Sequence, residues 1–225
     1  MTDQRYAFLA QTSATLLITA ICTLPMPSAI ATPTSPSSTV VKAGWPASTT
    51  ATDKRSRTAT LSATLNVEGE ETPVQLNLFD RPELPFTTYL LPREFTAQVG
   101  RVDELTGARF YWTYEGEVDQ SSYVQFAFPA SPTPVSVMED LILSDGGLVE
   151  VNGWNIISEE PSPYPWAQEA IIYEETTDEG VFMGAIYIGT YQAGKSFYVL
   201  THYPIEYGDG FEPRADLILR NVEMR

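Results

Sequence analysis

Cysteine is all but missing from this chain of 225 residues: one occurs, Cys22, inside an apolar N-terminal stretch. With that stretch removed no thiol remains, which leaves no disulfide, zinc–thiolate or cysteine-nucleophile chemistry. Histidine is as scarce, with His202 standing alone. A Ser-His-Asp triad would have to use it, with Ser196 and Asp209 as nearby candidates, and no Gly-x-Ser-x-Gly elbow accompanies it. Basic side chains are few: 13 Lys and Arg stand against 29 Asp and Glu, for a net charge of −16. Such a surface repels phosphate backbones, which argues against nucleic acid and favours a basic partner or cations. Phosphate loops, dinucleotide fingerprints and zinc-ligand spacings are absent as well.

No apolar run reaches the ~20 residues that a membrane-spanning helix needs. The longest, residues 14–24, follows Arg5 and is broken by Pro25 and Pro27, and Ala29-Ile30-Ala31 then offers small residues at the positions a signal peptidase reads. Residues 1–31 therefore read as a signal peptide cut before Thr32, with no transmembrane span after cleavage. An acylated Cys22 is the rival, disfavoured because Ile21 stands where a lipoprotein signal wants a small residue. The expected location is outside the cytoplasm, in a periplasm, a thylakoid lumen or the extracellular space.

Residues 32–60 are rich in Ser, Thr, Pro and Ala and read as a flexible linker. Trp45, Lys54, Arg55 and Arg57 interrupt it as candidates for docking a partner or an anionic lipid surface. The remaining stretch, residues 59–225, holds 8 basic and 27 acidic side chains, a net −19.

From residue 61 the pattern is that of a single acidic α+β domain, expected to be complete near residue 225. Val74, Leu76 and Leu78 alternate with Gln75, Asn77 and Phe79; Phe110, Trp112 and Tyr114 alternate likewise; Tyr123–Phe128 closes on Pro129. Residues 133–145 place Val135, Met138, Leu141 and Ile142 at helical spacing, with Thr133 as N-cap and Gly146-Gly147 as stop. Strands resume at 148–158. A meander follows through 167–174, 181–191 and 196–203. A second helix begins with Asp209 as N-cap, a capping box to Glu212 and Pro213 in the first turn, and buries Phe211, Ala215, Ile218 and Val222. Short helices covering a largely antiparallel sheet make an α+β sandwich.

This order resembles the PsbP/Mog1-type α/β/α sandwich. The resemblance rests on Phe128-Pro129 before the short helix, Asn152-Gly-Trp154, the strand Lys195-Ser-Phe-Tyr-Val-Leu-Thr-His202, the helix opening at Phe211-Glu-Pro213, and the upstream Phe86-Thr-Thr-Tyr-Leu-Leu-Pro92. It covers about 60% of the chain by pattern. It implies a non-enzymatic binding or assembly module, often membrane-proximal, and in a photosynthetic source one tied to a photosystem-type complex.

Beside that resemblance stand the residues that carry chemistry. Glu206, Asp209 and Glu212 follow His202 at short spacing and offer oxygens for a weak divalent cation such as Ca²⁺, as do Glu174, Glu175, Asp178 and Glu179, although the ordered calcium loop is absent. Glu115 with Glu117, or Glu159 with Glu160, are the carboxylate pairs a glycosidase would use; the first pair shares a face if its strand continues. Tyr111, Trp112 and Tyr114 suit either a core or a sugar-binding face. Three readings follow: an exported, non-catalytic binding or assembly protein; an extracytoplasmic hydrolase using carboxylates or His202; a small-ligand or carbohydrate-binding module.

Overall fold

The computed structural model describes residues 57–102, 105–192 and 194–225. Residues 1–31, expected to be a signal peptide, and Cys22, Trp45, Lys54 and Arg55 lie outside the described residues.

The described residues open with three antiparallel strands, β1 (Thr60–Val67), β2 (Glu70–Asp80) and β3 (Phe86–Leu90). A two-residue strand near the C-terminus, β11 (Glu223–Met224), pairs with β3, giving a small sheet of order β1-β2-β3-β11. The alternation expected around Leu76 slips at its end, where Phe79 also turns inward, 4.9 Å edge-on from Phe110.

The large sheet has seven antiparallel strands in the order β4-β5-β6-β10-β9-β8-β7. They are β4 (Phe95–Val102), β5 (Leu105–Tyr114), β6 (Glu117–Pro129), β7 (Asn155–Pro161), β8 (Ala167–Thr177), β9 (Gly180–Tyr191) and β10 (Lys195–Pro204). The β8–β9–β10 meander is the one the sequence pattern indicates. Burial is nearly continuous along β10, as expected of a central strand covered on both faces.

Two helices cover one face. Helix α1 (Val135–Leu143) sends Met138 and Ile142 inward and leaves Leu141 exposed. Its expected cap fails: Pro134 is the N-cap residue and the Thr133 hydroxyl donates to Ser131 O instead. Residues 148–152, expected to be extended, form a short helix, α2 (Leu148–Asn152). Its turn is closed by Asn152 Nδ2 donating to Leu148 O at 2.7 Å and ended by Gly153 at φ 69°, a left-handed conformation that favours glycine. Beneath α1 and α2, Val149, Trp154, Ile171, Tyr173 and Ile186 complete the core on this side.

The opposite face packs on the small sheet and on α3 (Gly208–Leu219), through Phe86, Phe110, Phe126, Phe197, Phe211 and Ile218. The helix stripe is confirmed at Phe211, Ala215 and Ile218, but α3 ends before Val222. The capping box does not form. Tyr207 is the N-cap without a side-chain bond, Pro213 lies past the first turn, and the Glu212 carboxylate accepts the Tyr203 hydroxyl. A 3₁₀ turn, Ile205–Tyr207, takes up the entry instead. The result is an α+β arrangement in which the large sheet is sandwiched between two helices and a second, smaller sheet.

Candidate functional site

His202 sits near the end of β10, paired in register with Gly184 on β9 and Tyr123 on β6. Strand alternation puts it on the α1/α2 face with Tyr198 and Leu200. It is enclosed by rings. Phe182 stacks on it at 5.0 Å and 7°, Tyr123 lies at 5.3 Å, and Trp154 stacks on Tyr173 behind it at 4.1 Å. The Tyr173 hydroxyl donates to Thr201 O at 2.9 Å and lies 3.0 Å from His202 Nδ1, so with its one proton on that carbonyl the neutral ring donates Nδ1–H to the phenol oxygen. Burial, with the Arg109 charge adding to it, lowers the His202 pKa from 6.5 to about 4. The Glu175 carboxylate lies 3.9 Å from Nε2 and accepts the Trp154 indole N–H at 3.0 Å.

A neutral, enclosed imidazole of this kind fills space and fixes strand packing. Changing Tyr173 to Phe is expected to cost about 1–3 kcal/mol, because it strips the hydroxyl from two buried polar partners. Urea denaturation measures it, and an unchanged midpoint would show that the hydroxyl holds nothing.

The triad does not assemble. Ser196 begins the same strand, six residues and so ~20 Å from His202, and its hydroxyl donates to Thr133 O at 2.6 Å. Asp209 is exposed at the start of α3. Among the described residues no three His, Cys, Asp or Glu side chains converge as a metal site. Glu206, Asp209 and Glu212 therefore do not form a ligand set here, nor do Glu174, Glu175, Asp178 and Glu179. Glu115 and Glu117 do not share a strand face: β5 stops at Tyr114, and Glu115 (φ 52°) with Gly116 (φ 88°) forms the two-residue hairpin turn to β6. Glu159 and Glu160 are adjacent on β7 and point to opposite faces.

Arg57, expected in the linker, is held by the folded domain. It donates to Thr87 Oγ1 at 2.8 Å and to Asn221 O at 2.9 Å, lies 3.5 Å from the Glu223 carboxylate, and stacks 4.4 Å over Tyr89. The aromatic run divides. Trp112 is buried against Phe211 and Tyr207, Tyr114 is exposed beside it, and Tyr111 points to the other face toward Tyr123.

What the fold does assemble is a face of one sign. From residue 110 to residue 194 the chain carries fourteen acidic side chains and no lysine or arginine. Eleven of the fourteen, Glu139 to Glu179, lie on α1, α2, β7, β8 and the turns that join and follow them, and no cation within these elements offsets their field. The crowding shows at Glu169, whose pKa is raised by burial and then by Glu159 and Glu139, from β7 and α1. The same elements leave large apolar side chains in solvent: Val137 and Leu141 on α1, Val151 on α2, and Ile156 and Ile157 on β7. The net charge of the domain is plain from composition, but this basic-free run is a more specific signal, and it is visible in the sequence once cations are mapped rather than summed.

No family description and no curated protein matches the chain. Among solved structures the chain is similar to the solution structure of cyanobacterial PsbP (CyanoP) from Synechocystis sp. PCC 6803, at 11% identity over 67% of this chain and 92% of that one, with a TM-score of 0.41.

Proposed function

We propose that the chain is an exported, non-catalytic binding or assembly protein that docks a basic, amphipathic segment of a protein partner on the face formed by α1, α2, β7 and β8. One observation carries this reading: eleven acidic residues from Glu139 to Glu179 without a single intervening Lys or Arg, along the same elements that expose Val137, Leu141, Val151, Ile156 and Ile157. Acidic charge steers and selects a basic partner, while the apolar side chains supply area to bury. The neutral, ring-enclosed His202 favours a scaffold over a hydrolase. The signal-peptide pattern in residues 1–31 supports export, and the PsbP/Mog1-type pattern supports membership of a membrane complex, of photosystem type if the source is photosynthetic.

Pull-down from native membranes of the source, with wild type and with Glu139, Glu159 and Glu169 all changed to Lys, tests this. The expected partner presents a basic surface and is held at least ~10-fold more weakly by the triple variant. Binding is also expected to fall as salt shortens the screening length from ~10 Å at 0.1 M to ~3 Å at 1 M. Equal recovery by both proteins, or none by either, removes the proposal.

A further inference from the structure

The helices cover only part of their face of the large sheet, and the strands β4, β5 and β6 leave a trough of about 410 Å³ beside them. Strand register builds it in rows. Gly100, Gly107 and Ala127 stand opposite one another across the three strands, so that row is almost bare of side chains. The next row, two residues along and ~7 Å away, is Gln98, Arg109 and Gln125; Tyr111 and Tyr123 form the one after. The bareness of Gly107 has a structural reason, since a Cβ there would lie 2.0 Å from Phe126 O. Gly100 has none: a Cβ there meets nothing within 4 Å, and its backbone is not left-handed.

Arg109 is the half-buried cation of this trough. Its guanidinium lies 4.4 Å from the Tyr123 ring centroid, donates Nε–H to Gln125 Oε1 at 2.7 Å and Nη2–H to the same oxygen, and donates Nη1–H to the Tyr111 hydroxyl at 3.2 Å. The other half-buried arginines have carboxylates, Arg57 with Glu223 and Arg214 with Glu94. Among the described residues Arg109 has none within ion-pair distance, in a chain holding 29 acidic side chains. Three of the five guanidinium N–H groups are used and two are left. Stacking on Tyr123 removes water from one face of the cation and strengthens what the remaining donors can offer an anion.

We propose that this trough binds an organic carboxylate, whose oxygens accept the two unused N–H groups of Arg109 while its apolar body lies along the Gly100–Gly107–Ala127 row. A planar, singly charged carboxylate matches one guanidinium. The carboxylate belongs either to a free organic acid or to the end of a peptide chain.

Benzoate titrated into the ¹⁵N-labelled protein tests the site, with benzamide as its neutral isostere and inorganic phosphate as the competing anion. Benzoate is expected to shift the Gly100 and Gly107 amides and the Arg109 Nε–H resonance, with benzamide silent and phosphate weaker. Arg109→Gln is expected to weaken benzoate at least ~10-fold. Gly100→Leu, which fills the trough and leaves Arg109 in place, is expected to do the same with the thermal midpoint unchanged, so the test survives a folding defect in the first variant. A peptide with a free C-terminus that binds more tightly than both its amidated form and benzoate identifies the chain end as the source; benzoate binding more tightly identifies the free acid. Benzamide binding like benzoate, phosphate binding more tightly, no binding of any probe, or full benzoate affinity in either variant overturns the assignment.

Discussion

Replacing Phe86 with alanine is expected to lower the unfolding free energy by about 3–5 kcal/mol, against the ~5–15 kcal/mol that a domain usually has. Phe86 is fully buried on β3 of the small sheet and reaches across to the large one. Its ring stacks on Phe126 at 4.3 Å and 12° and on Phe128 at 5.5 Å, and it meets Phe79 at 6.2 Å. Truncation removes a ring that joins the two sheets and leaves a cavity that three aromatic neighbours cannot close without leaving their rotamers. Urea denaturation reads the effect as a lower midpoint at unchanged slope. A loss below ~1 kcal/mol would mean that the sheets are held together elsewhere.

The second large effect depends on pH. His202 titrates near 4 in the folded protein and near 6.5 in an unstructured chain. As pH falls below about 6.5 the unfolded chain takes up the proton first, so the folded state loses stability until pH reaches about 4, below which both forms are protonated and the loss stops growing. At ~1.4 kcal/mol per pKa unit the total is about 3 kcal/mol. Carboxylates titrate in the same window, so the assignment rests on comparison with His202→Phe, which keeps an aromatic ring in the stack. The difference in stability between the two proteins is expected to shift against the wild type by that amount between about pH 7 and pH 4. Parallel curves would show that the imidazole keeps its ordinary pKa in the fold.

Local pattern made the strands around the meander and the inward face of α3 legible, because period-2 and period-3.6 burial repeat over ten residues or more. It failed where an element is short or its neighbours decide. Leu148-Val149 looks extended, yet Gly147 and Gly153 confine it to a single helical turn. Asp209 and Glu212 have capping-box spacing, but the Tyr203 hydroxyl captures Glu212 and the helix enters through a 3₁₀ turn instead. Glu115 and Glu117 have the spacing of a pair on one strand face, but a hairpin turn at Glu115-Gly116 separates them. The fourth strand of the small sheet, β11, is two residues long, which no periodicity can announce. Arg109 was unremarkable in sequence: its setting is created by Gln125 and Tyr123, 16 and 14 positions away, and only strand register brings them alongside.

Arg57 and the last strand form a latch. Arg57 grips Asn221 and Glu223, β11 pairs with Phe86 and Thr87, and the Arg225 amide donates to Pro85 O at 2.8 Å. Tension applied between residues 57 and 225 would load these few bonds one after another, as a zip, rather than together in shear. In single-molecule stretching along that axis the latch gives way at low force and peels the small sheet from its edge, while the seven-stranded sheet carries no load until the latch has opened.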